Sequence, residues 1–130
     1  MEADALGEAG LDTLKGPSLA VQRQYLHALL ALASDCGKPV VFHVVRAFPE
    51  LLKEVRFFGK IPKLLHGFRG NDARREELQK AGFLLSGAFD SRNDGLETDT
   101  LSCSVKDIYE KLHIADSAKY EETFHRFLSK

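Results

Sequence analysis

The sequence predicts an α/β fold built on a parallel sheet. Short β-branched or aromatic runs alternate with amphipathic helical segments along the chain. One of those runs, Val40, Val41 and Phe42, is apolar at consecutive positions rather than at every second one, the pattern expected of a strand buried on both faces. Parallel strands need crossover connections, and these are right-handed.

The elements follow in order. DALGEAGLD (4–12) reads as a short first strand ending near Glu8, although Ala and Gly make it poor in strand formers. Leu19, Leu26, Leu29, Leu30 and Ala33 recur at helical spacing over 18–36, with Ser18 as N-cap after Pro17 and Gly37 as the stop. Pro39 then leads into the strand 40–42. AFPELLKEVRF (47–57) places Phe48, Leu51, Leu52 and Val55 on one helical stripe, with Gly59 beyond its end. A third strand is expected at 61–65. Asn71 and Asp72 can cap a helix that closes at Gly82, and its Arg74, Arg75, Glu76 and Glu77 read as a solvated face. A fourth strand follows at 83–85, and helices capped by Ser104 and Asp116 are expected at 104–113 and 116–128. A fifth strand near Leu96, Glu97 and Thr98 comes only about 12 residues after the fourth, barely enough for a crossover of at least ~10–12 residues, so this step is abbreviated.

A chain of 130 residues suits one domain, spanning 1–130, with a real hydrophobic core. Its 44% hydrophobic and 28% charged residues fit a soluble globular protein rather than a disordered chain or a coiled coil. Lys and Arg (18) nearly balance Asp and Glu (19), so bulk charge does not drive nucleic-acid binding, and any such contact is local. Cys36 and Cys103 fit neither a disulfide framework nor a thiolate zinc motif, and reduced thiols are expected. MEADALGEAG has no apolar leader core, and no apolar stretch approaches the ~20 residues of a membrane span. A cytoplasmic protein with no membrane contact is the expectation.

Residues able to bind a metal fall in one kind of place. Glu8, His43, His66 and Asp99 each end or follow a strand-like run, where the strand ends of parallel α/β folds and their loops converge on a site. Two imidazoles and two carboxylates suit a divalent ion such as Zn²⁺, Mn²⁺ or Mg²⁺. Each has a bland alternative. A lone histidine after an apolar run is more often a packed loop residue, Glu8 can be a surface acid, and Asp99 can serve as a helix N-terminal charge. His27, His113 and His125 lie within helices and read as surface or packing residues. Gly67-Phe68-Arg69-Gly70 can form a tight loop that turns Arg69 towards a phosphate, and Arg46 adds a second cation on the same rim. Metal and arginines in one pocket point to phosphoester hydrolysis, in which the metal activates water and the cations hold the phosphate.

GEAGLD (7–12), PVVFH (39–43), LLHGFRG (64–70) and LETD (96–99) resemble, in order, four motifs of the TatD-like metal-dependent hydrolases, and ETFHRF (122–127) is similar to that family's closing helix. These hydrolases are TIM-barrel deoxyribonucleases. The resemblance implies Glu8 as a carboxylate shared by two divalent ions and His43 and His66 as ligands of one of them. It implies Asp99 as a ligand of the other, also orienting or deprotonating the attacking water, and DNA as the substrate. Arg46 stands three residues after His43, where many members place an arginine after two.

The chain also departs from the pattern. Family members open on a strand ending in an H-x-H pair, which residues 1–7 do not contain. Only about five strands are expected, where a TIM barrel has eight in ~250 residues. The expectation is therefore an incomplete barrel, a TatD-like hydrolase shortened before Met1 and around 88–96. The alternative is a half-barrel whose open sheet edge pairs with a second copy as a homo-oligomer. Two other functions stay open: a catalytically silent metal-binding or interaction remnant, and a metal-dependent hydrolase of a C–N or carboxyl-ester bond.

Overall fold

In a computed structural model of the chain, residues 4–87, 92–96, 122, 123, 127 and 128 are described. The elements are β1 (Leu6–Asp12), α1 (Leu19–Cys36), β2 (Val40–Val45), α2 (Phe48–Val55) with a 3-10 turn (Arg56–Phe58), β3 (Lys63–Leu65), α3 (Asp72–Lys80), β4 (Phe83–Gly87) and β5 (Gly95–Leu96). The strands lie in sequence order and every neighbouring pair is parallel. This is the arrangement of a TIM-barrel arc, here five strands among the described residues.

The helices end where the sequence chemistry ends them. Ser18 Oγ accepts from the Val21 amide at the start of α1, and Gly37, at φ 65°, closes it in the left-handed conformation. Pro49 sits in the first turn of α2, where its missing N–H costs nothing. Asn71 caps α3, its side chain accepting from the Arg74 amide at 2.9 Å.

One core lies between helices and sheet. Leu26, Leu30 and Ala33 of α1, Leu51 and Val55 of α2 and Leu78 of α3 pack against Leu11, Val40, Phe42, Leu65, Phe83 and Leu85. Phe42 and Phe83 meet edge to face at 5.2 Å between ring centroids. Burial in β2 alternates, Val40 and Phe42 being buried while Val41 and His43 are only partly so. The expectation of a strand buried on both faces is corrected here. One face is covered by helices, and the other lines the concave side of the arc, where the described residues leave it half open.

Two further corrections concern strand length. β1 does not end near Glu8 but runs to Asp12, because its pairing with β2 continues to Asp12 opposite Val45. His43 likewise lies inside β2 rather than at its end. Asp94 holds the short last step, its amide donating to Leu85 O at 2.8 Å and its carboxylate accepting from Leu85 N at 2.9 Å. Lys63 is 2% exposed at the start of β3, and its ammonium donates to Ile61 O and Gly59 O. Burial holds its pKa below the ordinary 10.5.

Asp99, Cys103, His113, His125, the helix expected at 104–113 and most of that at 116–128 lie outside the described residues. Of the closing segment, residues 122, 123, 127 and 128 are helical, and Phe127 is buried.

Candidate functional site

Three adjacent strands bring Glu8, His43 and His66 together. Leu6 pairs with Val40 but Ala9 with Phe42, so β1 carries one extra residue across Gly7 and Glu8. Such a bulge re-aims a side chain next to a site. Gly7 makes it possible: its φ is 146°, and a Cβ there would stand 2.6 Å from Val41 O. Gly10 lies opposite His43, and a Cβ on it would fall 1.5 Å from the His43 carbonyl oxygen. The backbones can pair in this register only with glycine at 10. Ladder pairing of β2 with β3 ends at Phe42 opposite Leu65, and the His66 amide then donates to Phe42 O at 3.0 Å. That bond sets His66 beside His43, with ring centroids 5.5 Å apart.

Glu8 Oε1 stands 2.9 Å from His66 Nε2 and 3.8 Å from His43 Nδ1. One donor atom from each of the three residues lies within 4.8 Å of the others. Zinc takes N and O donors at about 2.0–2.2 Å, so two ligands on opposite sides of one ion stand roughly 4 Å apart, close to the spacing of these atoms. The donor chemistry fits too: two imidazoles and a carboxylate are the set found at catalytic zinc sites that keep a position open for substrate or water. Among the described residues this is the one cluster of three such side chains. Asp99 lies outside them.

Asp12, the last residue of the GEAGLD segment, also reaches the site. Its Oδ1 accepts from the amides of Leu14 (2.7 Å) and Lys15 (3.0 Å), leaving Oδ2 3.8 Å from His43 Nε2. The bond from the Leu14 amide, with that from Lys15 and the nearby His43, outweighs desolvation and holds the Asp12 carboxyl below its usual 3.8. Gln22 on α1 fixes the backbone around it. The Asp12 amide donates to Gln22 Oε1 at 2.7 Å, while Gln22 Nε2 donates to Asp12 O at 2.9 Å and Pro17 O at 2.8 Å. Neither Asp12 nor Gln22 is among the site residues expected from the sequence. For Asp12 a signal was present, since a strand continuing beyond Glu8 sets positions 8, 10 and 12 in period-two relation.

Beside His66 a cavity of about 790 Å³ opens between the loops that follow β2 and β3. Arg46, Phe48, His66, Arg69 and Arg74 line it. Arg46 and Arg69 are exposed, and Arg46 has φ 53°, in the left-handed region that disfavours side chains. The expectation that Arg74 and Arg75 belong to a solvated face is corrected. The Arg74 guanidinium packs over Phe48, 4.7 Å from the ring centroid, and Arg75 is buried over Phe68, donating to Asn93 Oδ1 at 2.6 Å. Glu76 and Glu77 are exposed as expected. Arg75 stands three residues before buried Leu78, and that spacing is the sequence sign of its inward face.

A family model described as TatD related DNase matches residues 1–94. The crystal structure of YjjV, a TatD homologue from Escherichia coli K12, matches with a TM-score of 0.59 at 27% identity, covering 63% of this chain and 32% of that one. The match thus spans about a third of that relative's length. Comparison with curated proteins found no match.

Proposed function

The chain belongs to the TatD related DNase family, and from that premise we propose that it is a metal-dependent phosphodiester hydrolase acting on DNA. The observation that carries the reading is the convergence of Glu8, His43 and His66, from three successive strands, to within 4.8 Å beside a cavity with arginines on its rim. Glu8, His43 and His66 would hold a divalent ion, which would stabilise negative charge on a phosphoryl oxygen and acidify water.

The protein's own residues do the remaining work. Glu8, central to the cluster, faces both imidazoles and is exposed enough to accept a second ion, for which Asp99 is the proposed further ligand. Asp12 Oδ2 faces the His43 nitrogen turned away from Glu8, as a carboxylate does when it orients a ligand imidazole. Arg46 and Arg69 neutralise the phosphate at the cavity mouth, where a guanidinium can pair bidentately with its oxygens. Asp99 orients the attacking water or takes its proton.

Elemental analysis of the purified chain together with cleavage of a short single strand in Mg²⁺ or Mn²⁺ tests this. Bound ions and cleavage lost in His66→Ala are the expected results. A metal-loaded chain without turnover would instead identify a binding remnant of the fold, and a chain that takes up no ion would overturn both readings.

A further inference from the structure

The cavity beside the metal-binding cluster holds a feature that phosphate chemistry does not use. Arg74 lies over the Phe48 ring, its Cζ 4.7 Å from the centroid, while its Nη1 donates to Glu77 Oε2 at 2.8 Å. The ring beneath and the carboxylate bonded to Nη1 restrain the guanidinium, and a guanidinium already paired within the chain has fewer donors left for a phosphate. Its side chain is nevertheless 31% exposed and lines the same cavity as His66. A flat, restrained and partly exposed cation is a surface on which a nucleobase can stack.

We propose that Phe48 and Arg74 form a stacking platform for one unpaired nucleobase of the substrate, next to the point where its phosphodiester meets Glu8, His43 and His66. The inference rests on the phosphodiesterase reading and adds to it which part of the substrate the cavity takes. The loops explain the placement. Arg46, in its left-handed conformation, turns the chain off β2 so that Phe48 begins α2, and Asn71 caps α3 so that Arg74 falls in its first turn. Every base has a π-face, so the platform requires a base without choosing among the four. A base inside a duplex is already stacked on both sides, so the platform favours a single strand or a frayed end.

Binding without turnover tests this. A fluorescein-labelled pentathymidylate and an abasic phosphodiester strand of the same length are titrated with the full chain in EDTA, with anisotropy as the readout. Stacking of one base on an aromatic plate corresponds to roughly a 5- to 150-fold gain, so the wild type is expected to prefer the base-bearing strand about tenfold. In Arg74→Ala the preference falls to within about twofold. Arg74→Lys keeps the charge but loses the plane and is expected to behave as Arg74→Ala, whereas loss of an arginine that binds only phosphate would weaken both strands alike and leave the preference in place. Phe48→Leu should lose part of the preference, with circular dichroism confirming the fold. Equal wild-type affinity for both strands, or full preference in Arg74→Lys, would overturn the platform. Cleavage of the abasic strand in Mn²⁺ reports separately on the phosphodiesterase: cleavage without base preference removes only the platform, and base preference without cleavage removes only the catalytic reading.

Discussion

His66 is the most enclosed of the three candidate donors, with its side chain 14% exposed against 40% for His43 and 53% for Glu8. Its loss leaves a gap that solvent-facing groups are poorly placed to fill. His66→Ala is expected to weaken Zn²⁺ or Mn²⁺ binding by more than the 10- to 100-fold typical of losing an outer-shell partner. Calorimetric titration checks this, and an affinity within twofold of wild type would remove His66 from the site. Asp12→Asn keeps the side chain's shape but withdraws the anion facing His43 Nε2. About tenfold weaker metal binding is expected, with circular dichroism unchanged. That Glu8, His43 and His66 come together was legible in the sequence because each ends or follows a separate strand-like run, and parallel strands bring such positions to one place. Asp12 was legible only through its period-two relation to Glu8, which counts once β1 is known to continue four residues past Glu8. Arg74 was hidden for a related reason: a charged first turn looks solvated until the preceding helix brings Phe48 beneath it.

At the scale of elements, the helices were the readable part. Ser18, Gly37 and Asn71 mark their ends through local hydrogen bonds, which need no knowledge of the rest of the fold. Strand ends were less readable, since pairing decides them. Gly10 shows why: its value lies in the neighbouring strand, and Gly10→Ala is expected to break the β1–β2 register and lower stability by several kcal/mol, because backbone must move apart. Urea unfolding checks it, and a loss under about 1 kcal/mol would mean that β1 does not pair this closely. Lys63 gives β3 a pH signature. Its folded pKa lies below 10.5, so between the folded value and 10.5 the unfolded chain binds more protons and wild-type stability rises with pH. Below that window the cost of burying the ammonium is fully present. Against Lys63→Met, which cannot titrate, the wild type should therefore gain stability as pH rises towards 10.5, and a difference independent of pH would contradict the burial of the charge.

For the molecule as a whole, the donors and the core occupy opposite faces of one sheet. The helix-facing side carries the apolar packing, and the other side carries Glu8 within β1, His43 within β2 and His66 just after β3. Because the donors come from β1, β2 and the residue after β3, an ion bound by all three ties together strands that are otherwise joined by ladder hydrogen bonds and helix packing. Binding of this kind stabilises the folded state by mass action, by about 2.7 kcal/mol at an ion concentration a hundred times Kd. In a chain of this size each kcal/mol moves Tm by roughly 3–6 °C, so saturating Mn²⁺ or Zn²⁺ is expected to raise Tm by roughly 10 °C and chelation to reverse it. The measurement needs no substrate and no turnover. His66→Ala, compared with its own Tm in EDTA, should lose most of the ion-dependent rise. An equal rise in both proteins would place the ion elsewhere, and no rise at all would mean that the three side chains converge without holding one.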